Sequence, residues 1–338
     1  MLIVAVNKRI PYLLNRQINH HHILPMLTSL LWLIAGVGLL TYGADRLVAG
    51  SSAIALRTGI SPLLIGLTIV AFATSSPELL VSIVAALQGK SSIAIGNVVG
   101  SNIANIALVL GAAAIIYPVK AESKVLKREM PYMVGAVAFL YVLMYNDMIT
   151  RTEGIALVLM LAAFLVYQIR LARAQMDRFD EQVKDVLAHK TVPVWLAVFY
   201  AVLGAACLYF GSEAFVAGAV ELGAMIGISD AVIGLSVISI GTSLPELATT
   251  VMAALKKETG MALGNIIGSN IFNVFAVLGI TAVIIPLDGG GINYIDLSVM
   301  MVLTLAIWGL FQYNRELGRI SGFVLLLSYV GYMVWLFQ

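Results

Sequence analysis

The chain has 338 residues, 60% of them apolar and only 11% charged, with a mean hydropathy of +0.97 and a formal net charge of +2. Soluble globular chains carry about 25% charged residues, so the composition excludes a water-soluble domain and points to an all-α polytopic membrane protein. The small net charge gives no reason to expect nucleic acid, and the single cysteine, Cys207, excludes an intramolecular disulfide or a cysteine metal cluster and reads as an apolar filler.

Residues 1–25 are too broken by charge and proline to cross a bilayer, and they lack the basic, apolar, small-residue order of a signal peptide. They read as a poorly ordered tail, in which the adjacent His20, His21 and His22 do not face one another as metal ligands would. A hydrocarbon core about 30 Å thick asks for about 20 mostly apolar residues per helix. Ten stretches meet that demand, near 27–48, 61–87, 92–117, 130–147, 153–172, 192–213, 229–255, 261–286, 294–312 and 319–337. The hydrophilic segment 173–191 separates them into two sets of five, 26–172 and 192–338.

The two sets are related. Residues 59–111 recur as 227–279 at a constant offset of 168, without a gap and with 25 identities in 53 positions. The segments 43–50 (GADRLVAG) and 211–218 (GSEAFVAG) extend the match at the same offset. Five spans is an odd number, so two such halves in series enter the membrane with opposite orientation. That is an inverted-topology repeat, which places a substrate site near the midplane. Fifteen Lys and Arg fall in the loops after odd-numbered spans and two in the others, the N-terminal tail holding the remaining three. The odd loops, including 173–191, are therefore expected in the cytoplasm and both termini outside.

Chemistry concentrates where the repeat is strictest. Thr74-Ser75 with Pro77-Glu78 is matched by Thr242-Ser243 with Pro245-Glu246, and Ser101 with Asn105 by Ser269 with Asn273. An ionised carboxylate at the bilayer centre costs at least about 2.5 kcal/mol, and no Lys or Arg lies within a helical turn or two of Glu78 or Glu246. A bound cation would offset that cost. Pro77 and Pro245 lack an N–H, so the carbonyls of Ala73 and Gly241 lose their intrahelical donors and join the hydroxyls as candidate ligands. Ser101 and Asn105, like Ser269 and Asn273, are four apart and share a helix face. An all-oxygen set suits Ca²⁺ or Na⁺ rather than zinc or copper. Two glutamates balance one Ca²⁺ or two Na⁺, so binding either load but not both would give exchange, with protons as competitors. Gly96, Gly100, Gly264 and Gly268 read as a close-packing ridge. Asp45, beside Arg46, reads as an interfacial ion pair; neither it nor Glu213 is expected to be a ligand. A channel is a different class to be tested; an intramembrane hydrolase lacks a nucleophile with a base, since all four histidines lie outside the spans.

On the motifs Ala-Thr-Ser-Ser-Pro-Glu (73–78), Gly-Thr-Ser-Leu-Pro-Glu (241–246) and the two Gly-Asn-x-x-Gly-Ser-Asn-Ile-x-Asn stretches (96–105 and 264–273), the chain resembles the cation/Ca²⁺ exchanger superfamily. Bacterial calcium/sodium antiporters related to sodium/calcium exchangers are its nearest likeness. The resemblance implies ten helices, an ion core built from spans 2, 3, 7 and 8, and spans 1 and 6 sliding across it. It implies a secondary antiporter of the bacterial cytoplasmic membrane, not an enzyme, with no cofactor, carrying Ca²⁺ and Na⁺, with H⁺ or K⁺ left open as co-ions. Its ligands would be the carbonyl of Ala71, Thr74, Ser75, Glu78, Ser101 and Asn105 in one half. In the other they would be the carbonyl of Ser239, Thr242, Ser243, Glu246, Ser269 and Asn273. Some relatives carry an acid where this chain has Asn273, which leaves the number of Na⁺ per Ca²⁺ open.

Overall fold

The computed structural model describes residues 20–177, 192–225, 239–289 and 293–336. Residues 1–19, most of the hydrophilic segment 173–191 and the 229–238 part of the seventh expected span lie outside them. Helix α1 is His20–Thr58; a bent pair, α2 (Pro62–Thr74) and α3 (Ser76–Leu87), follows. Then come α4 (Ser91–Ile116), α5 (Glu129–Leu143), α6 (Arg151–Met176) and α7 (Val194–Met225). The turn Ser239–Thr242 leads into α8 (Leu244–Leu255), followed by α9 (Thr259–Ile284), α10 (Tyr294–Asn314) and α11 (Arg319–Leu336). By length and apolarity seven of these helices can cross a membrane, or eight if the bent pair is one span. Helices α5 and α8, of 15 and 12 residues, are shorter than a span needs.

The helix boundaries follow local chemistry. Gly59, at φ 73°, supplies the left-handed residue that stops α1, and its N–H returns to the Ala55 carbonyl at 3.0 Å. Ser61 then caps α2 by accepting from the Leu64 N–H, with Pro62 at the first helical position. Thr150 and Glu153 form a reciprocal capping box at the start of α6. Helix α1 runs ten residues past the expected end at 48. The charges that suggested an end there are neutralised in place. Asp45 pairs with Arg46 and with Lys256 Nζ at 2.6 Å, while the Arg46 guanidinium lies over the rings of Tyr42 and Tyr200. Asp45 is thus held in an ion pair, as expected. Helix α7 likewise runs past 213, to Met225.

Helices α4 and α9 form the centre, with 72% and 89% of their most apolar stretches buried, against 17–28% for α1, α6, α7, α10 and α11. The peripheral pair α1 and α7 meets through glycines spaced seven apart. Gly36, Gly43 and Gly50 face α7, and Gly204, Gly211 and Gly218 face α1, so closely that a Cβ on Gly204 would lie 2.4 Å from the Leu47 nitrogen. The two triplets are themselves related by 168 residues.

Two small antiparallel ladders join connections distant in sequence. Strand β1 (Val119–Lys120) pairs with β4 (Glu316–Leu317), and β2 (Met148–Ile149) with β3 (Leu287–Asp288). Shifting by 168 residues converts β1 into β3 and β2 into β4, so one ladder maps onto the other with partners exchanged.

At the centre, a Cβ on Gly264 would sit 2.4 Å from the Leu63 carbonyl oxygen, whereas one on Gly135 of α5 would meet nothing within 4 Å. Gly264→Ala should therefore push α9 off α2 and destabilise by about 1–3 kcal/mol, while Gly135→Ala should be neutral or mildly stabilising. Thermal unfolding of the detergent-solubilised variants measures both.

Candidate cation-binding site

The site is made where helices break. Helix α2 ends at Thr74, and α3 restarts at Ser76 at an angle of 40°, with Ser75 at φ −85°, ψ 4° between them. Ser243 adopts φ −87°, ψ 3° between Thr242 and Leu244. In each case a proline follows two residues on and a glutamate three on, so the break delivers Glu78 and Glu246 into the first turn of a new helix. The central helices change winding too: π-helical segments begin at Asn105 in α4 and at Asn273 in α9. Such segments are rare and are frequently found at functional positions.

Both glutamates are fully buried, as are Thr74, Ser101, Asn105, Ser269 and Asn273; Ser75, Thr242 and Ser243 are nearly so. Ala71 is buried at the head of the short run Ala71–Thr74. Ser239 opens the turn Ser239–Thr242.

The two halves interlock here. Ser75 Oγ donates to Glu246 Oε1 at 3.2 Å, and Thr74 Oγ1 reaches Ser269 Oγ at 3.3 Å. Ser101 Oγ reaches Thr242 Oγ1 at 3.5 Å, and the carboxyls of Glu78 and Glu246 lie close enough to interact electrostatically. Asn273 Nδ2 donates to Asn102 Oδ1 at 3.1 Å, and Asn102 Nδ2 to the Asn270 carbonyl at 3.4 Å.

Several oxygens here have no hydrogen-bond partner among the described residues: Oε1 and Oε2 of Glu78, Oε2 of Glu246, Oγ of Ser243 and Oδ1 of Asn105 and of Asn273. The hydroxyls of Ser101 and Thr242 stand beside Glu78 without making a bond of normal geometry. Among the described residues no third acid, histidine or cysteine joins the pair. None of the ion pairs found among those residues involves either glutamate. Buried polar groups are nearly always partnered, and buried charges are paired or bind metals. The chemistry of this set fits a hard cation held by carboxylate, hydroxyl and amide oxygens.

Two candidate carbonyls already accept hydrogen bonds, that of Ala71 from the Ser75 N–H at 2.9 Å and Thr74 Oγ1 at 3.3 Å. The Gly241 carbonyl, freed by Pro245, accepts from Ser212 Oγ of α7 at 2.6 Å. The residue at the repeat position of Ser212 is Ala44, which has no hydroxyl. Four asparagines not named as ligands, Asn97, Asn102, Asn265 and Asn270, are also buried in the same network. Their signal was present in the sequence, since all four stand in the repeated Gly-Asn-x-x-Gly-Ser-Asn motif.

Fold and site together define an integral, multi-pass membrane protein of the cation antiporter class. The model of the family described as "Sodium/calcium exchanger protein" matches residues 28–170 and again 196–338, two stretches displaced by 168. The putative antiporter CaxA of Alkalimonas amylolytica is 41% identical over 321 residues, covering 93% of this chain and all of that protein. The sodium/calcium exchanger MaX1 of Methanosarcina acetivorans is 33% identical, covering 91% of this chain and 98% of that one. The solved sodium-calcium exchanger NCX_Mj, soaked with 10 mM Na⁺ and zero Ca²⁺, superposes with a TM-score of 0.80 at 30% identity. That match covers 91% of this chain and 99% of the other. The chain belongs to the sodium/calcium exchanger family, within the cation/Ca²⁺ exchanger superfamily.

The Ser212 bond yields a stability test. Ser212→Ala strands a buried carbonyl that has no intrahelical donor, and should cost about 1–3 kcal/mol. Thr41→Ala removes only an exposed hydroxyl bonded at 2.8 Å to the Val37 carbonyl of its own helix, and should change little. Comparing the two midpoints in detergent measures the difference.

Proposed function

We propose that the chain exchanges Ca²⁺ for Na⁺ across the bacterial cytoplasmic membrane, by alternating access at a midplane site built on Glu78 and Glu246. The observation that carries this reading is the pair of repeat-related carboxylates, buried together beside oxygens that lack partners among the described residues. The proposed ligands are the carbonyls of Ala71 and Ser239 with the side chains of Thr74, Ser75, Glu78, Ser101 and Asn105, and of Thr242, Ser243, Glu246, Ser269 and Asn273. The Gly241 carbonyl is left out because Ser212 of another helix occupies it at 2.6 Å, whereas the bonds to the Ala71 carbonyl come from its own turn.

The proposed architecture has ten spans in two inverted halves, 26–172 and 192–338, with both termini outside and 173–191 in the cytoplasm. The two ladders support it. One joins the connections after the third and ninth expected spans, and the other those after the fourth and eighth, so each links loops assigned to one side. The 168-residue displacement of the two family matches supports it as well.

Charge drives the mechanism. One Ca²⁺ or two Na⁺ neutralises the two glutamates, and neither load leaves room for the other. An unloaded site buries two like charges side by side, which disfavours crossing without cargo. Proteoliposomes loaded with Na⁺ and diluted into Na⁺-free ⁴⁵Ca²⁺ should accumulate calcium. Uptake driven by a pH gradient alone, without any Na⁺, would instead establish a Ca²⁺/H⁺ antiporter.

Glu78→Gln and Glu246→Gln should each reduce exchange at least about 100-fold, since removing one charged partner from a buried set costs about 3 kcal/mol or more. Both should remain folded in the membrane. Flux retained in either variant would remove that residue from the ligand set. Asn273→Asp adds a third carboxylate, and the Na⁺ concentration dependence of its Ca²⁺ flux should change in half-saturation or steepness.

A further inference from the structure

The two asparagines Asn97 and Asn265 stand at equivalent repeat positions and neither was named as a ligand. Their hydrogen bonds have a direction that can be followed atom by atom. Ser82 Oγ donates its proton to the Ala94 carbonyl at 3.4 Å. It therefore accepts from Asn97, whose Nδ2 lies 3.1 Å away and also donates to the Glu78 carbonyl at 3.3 Å. Two acceptors on one side fix the NH₂ of Asn97 there and turn its Oδ1 to the opposite side. That oxygen receives the proton of Thr242 Oγ1 at 3.2 Å.

The mirror arrangement is present in the other half. Asn265 Nδ2 donates to Thr250 Oγ1 at 2.9 Å, and its Oδ1 accepts at 3.1 Å from the hydroxyl of Thr74, for which the Ala71 carbonyl at 3.3 Å is a more distant acceptor. Thr250 is the repeat counterpart of Ser82. Each asparagine is thus anchored by its NH₂ to its own half and takes a proton from the other half.

We infer that Asn97 and Asn265 are positioning residues for cation binding: they hold the protons of Thr242 and Thr74 away from the glutamates, so that the threonine oxygens offer only lone pairs to a hard cation. The inference rests on the reading of this site as a cation site and deepens it. A hydroxyl has one proton and two lone pairs. Were the Thr242 proton free to turn, it would be donated to the neighbouring Glu78 carboxylate and would compete there with a cation for negative charge. Donated to Asn97, the Thr242 proton is directed away from Glu78, and the hydroxyl's lone pairs are left to face the carboxyl group across a cation or a competing proton. An amide is required for this. Aspartate could accept from threonine but could not donate to Ser82 or to the Glu78 carbonyl, and leucine could do neither.

A thermodynamic cycle on the full-length protein tests it. Wild type, Asn97→Leu, Thr242→Val and the double variant are purified, and apparent Ca²⁺ affinity is read from Ca²⁺-dependent thermal stabilisation, alongside Na⁺-driven ⁴⁵Ca²⁺ uptake. Asn97→Leu should weaken Ca²⁺ binding about tenfold on the wild-type background, and less than about twofold once Thr242 has lost its hydroxyl. An equal loss on both backgrounds would make Asn97 a packing residue and overturn the inference, as would unchanged affinity in the single variant. The cycle on Asn265→Leu and Thr74→Val carries the same expectation if an Asn97 variant fails to fold. A wild-type protein that neither binds Ca²⁺ nor exchanges it for Na⁺ would instead refute the functional reading itself.

Discussion

The structure depends on one electrostatic constraint: two carboxylates fully buried close to one another, with no basic side chain among the described residues paired to either. Taking such a group out of water costs several kcal/mol even after relaxation. The basic residues whose ion pairs are described sit elsewhere, with Lys256 and Arg46 on Asp45, Arg128 on Glu129 and Lys120 on Glu316. What surrounds Glu78 and Glu246 is neutral oxygen and nitrogen, placed by interruptions in the helices. Two are the breaks at Ser75 and Ser243, and two are the π segments beginning at Asn105 and Asn273. A regular helix would hide its carbonyls in its own ladder and turn these side chains along a single stripe. The interruptions are what let the residues converge.

The repeat is more than a record of duplication, because the halves complete each other. Thr74 bonds to Asn265 and Thr242 to Asn97, Ser75 reaches Glu246, and Asn273 reaches Asn102. The asparagine NH₂ groups are held within their own halves, but the hydroxyls of Thr74, Ser75 and Thr242 reach across, so neither half holds the site alone. The same reciprocity appears at the periphery, where each ladder takes one strand from each half.

How much of this could be read from sequence varied with how locally each feature is determined. The repeat, the paired glutamates and the hydroxyl and amide residues around them were legible, because identities cluster there while the apolar filler drifts. Proline two residues after Ser75 and Ser243 marked both breaks. The full lengths of α1 and α7 were not legible: Asp45, Arg46 and Glu213 look like the end of a span, and only Tyr200 and Lys256, far along the chain, show how two of those charges are absorbed. Ser212 was unreadable for the same reason, since its partner is a carbonyl 29 residues away on another helix. Asn97 and Asn265 were visible as repeated letters, but the direction of a hydrogen-bond chain is a three-dimensional property. Two-residue strands and π turns leave no periodic pattern to detect.

The departures from symmetry divide into two kinds with different origins. Ser75 donates to Glu246, whereas the Ser243 hydroxyl and both oxygens of Glu78 have no hydrogen-bond partner among the described residues. Both motifs read Thr-Ser-x-Pro-Glu, so this difference belongs to the conformation rather than to the residues. It is the kind of asymmetry that two interchanging states of one repeat would swap between halves. The Ser212 bond to Gly241 is of the other kind, because Ala44 cannot reproduce it in either state, and neither can Gln88 and Glu213 reproduce the Lys256 pair with Asp45. Interactions of this second kind tie the α1 and α7 pair to α8, through Ser212 at the turn that precedes it and Lys256 just past its end. The site residues are thus matched in both halves, whereas the Ser212 and Lys256 contacts have no counterpart at the repeat positions.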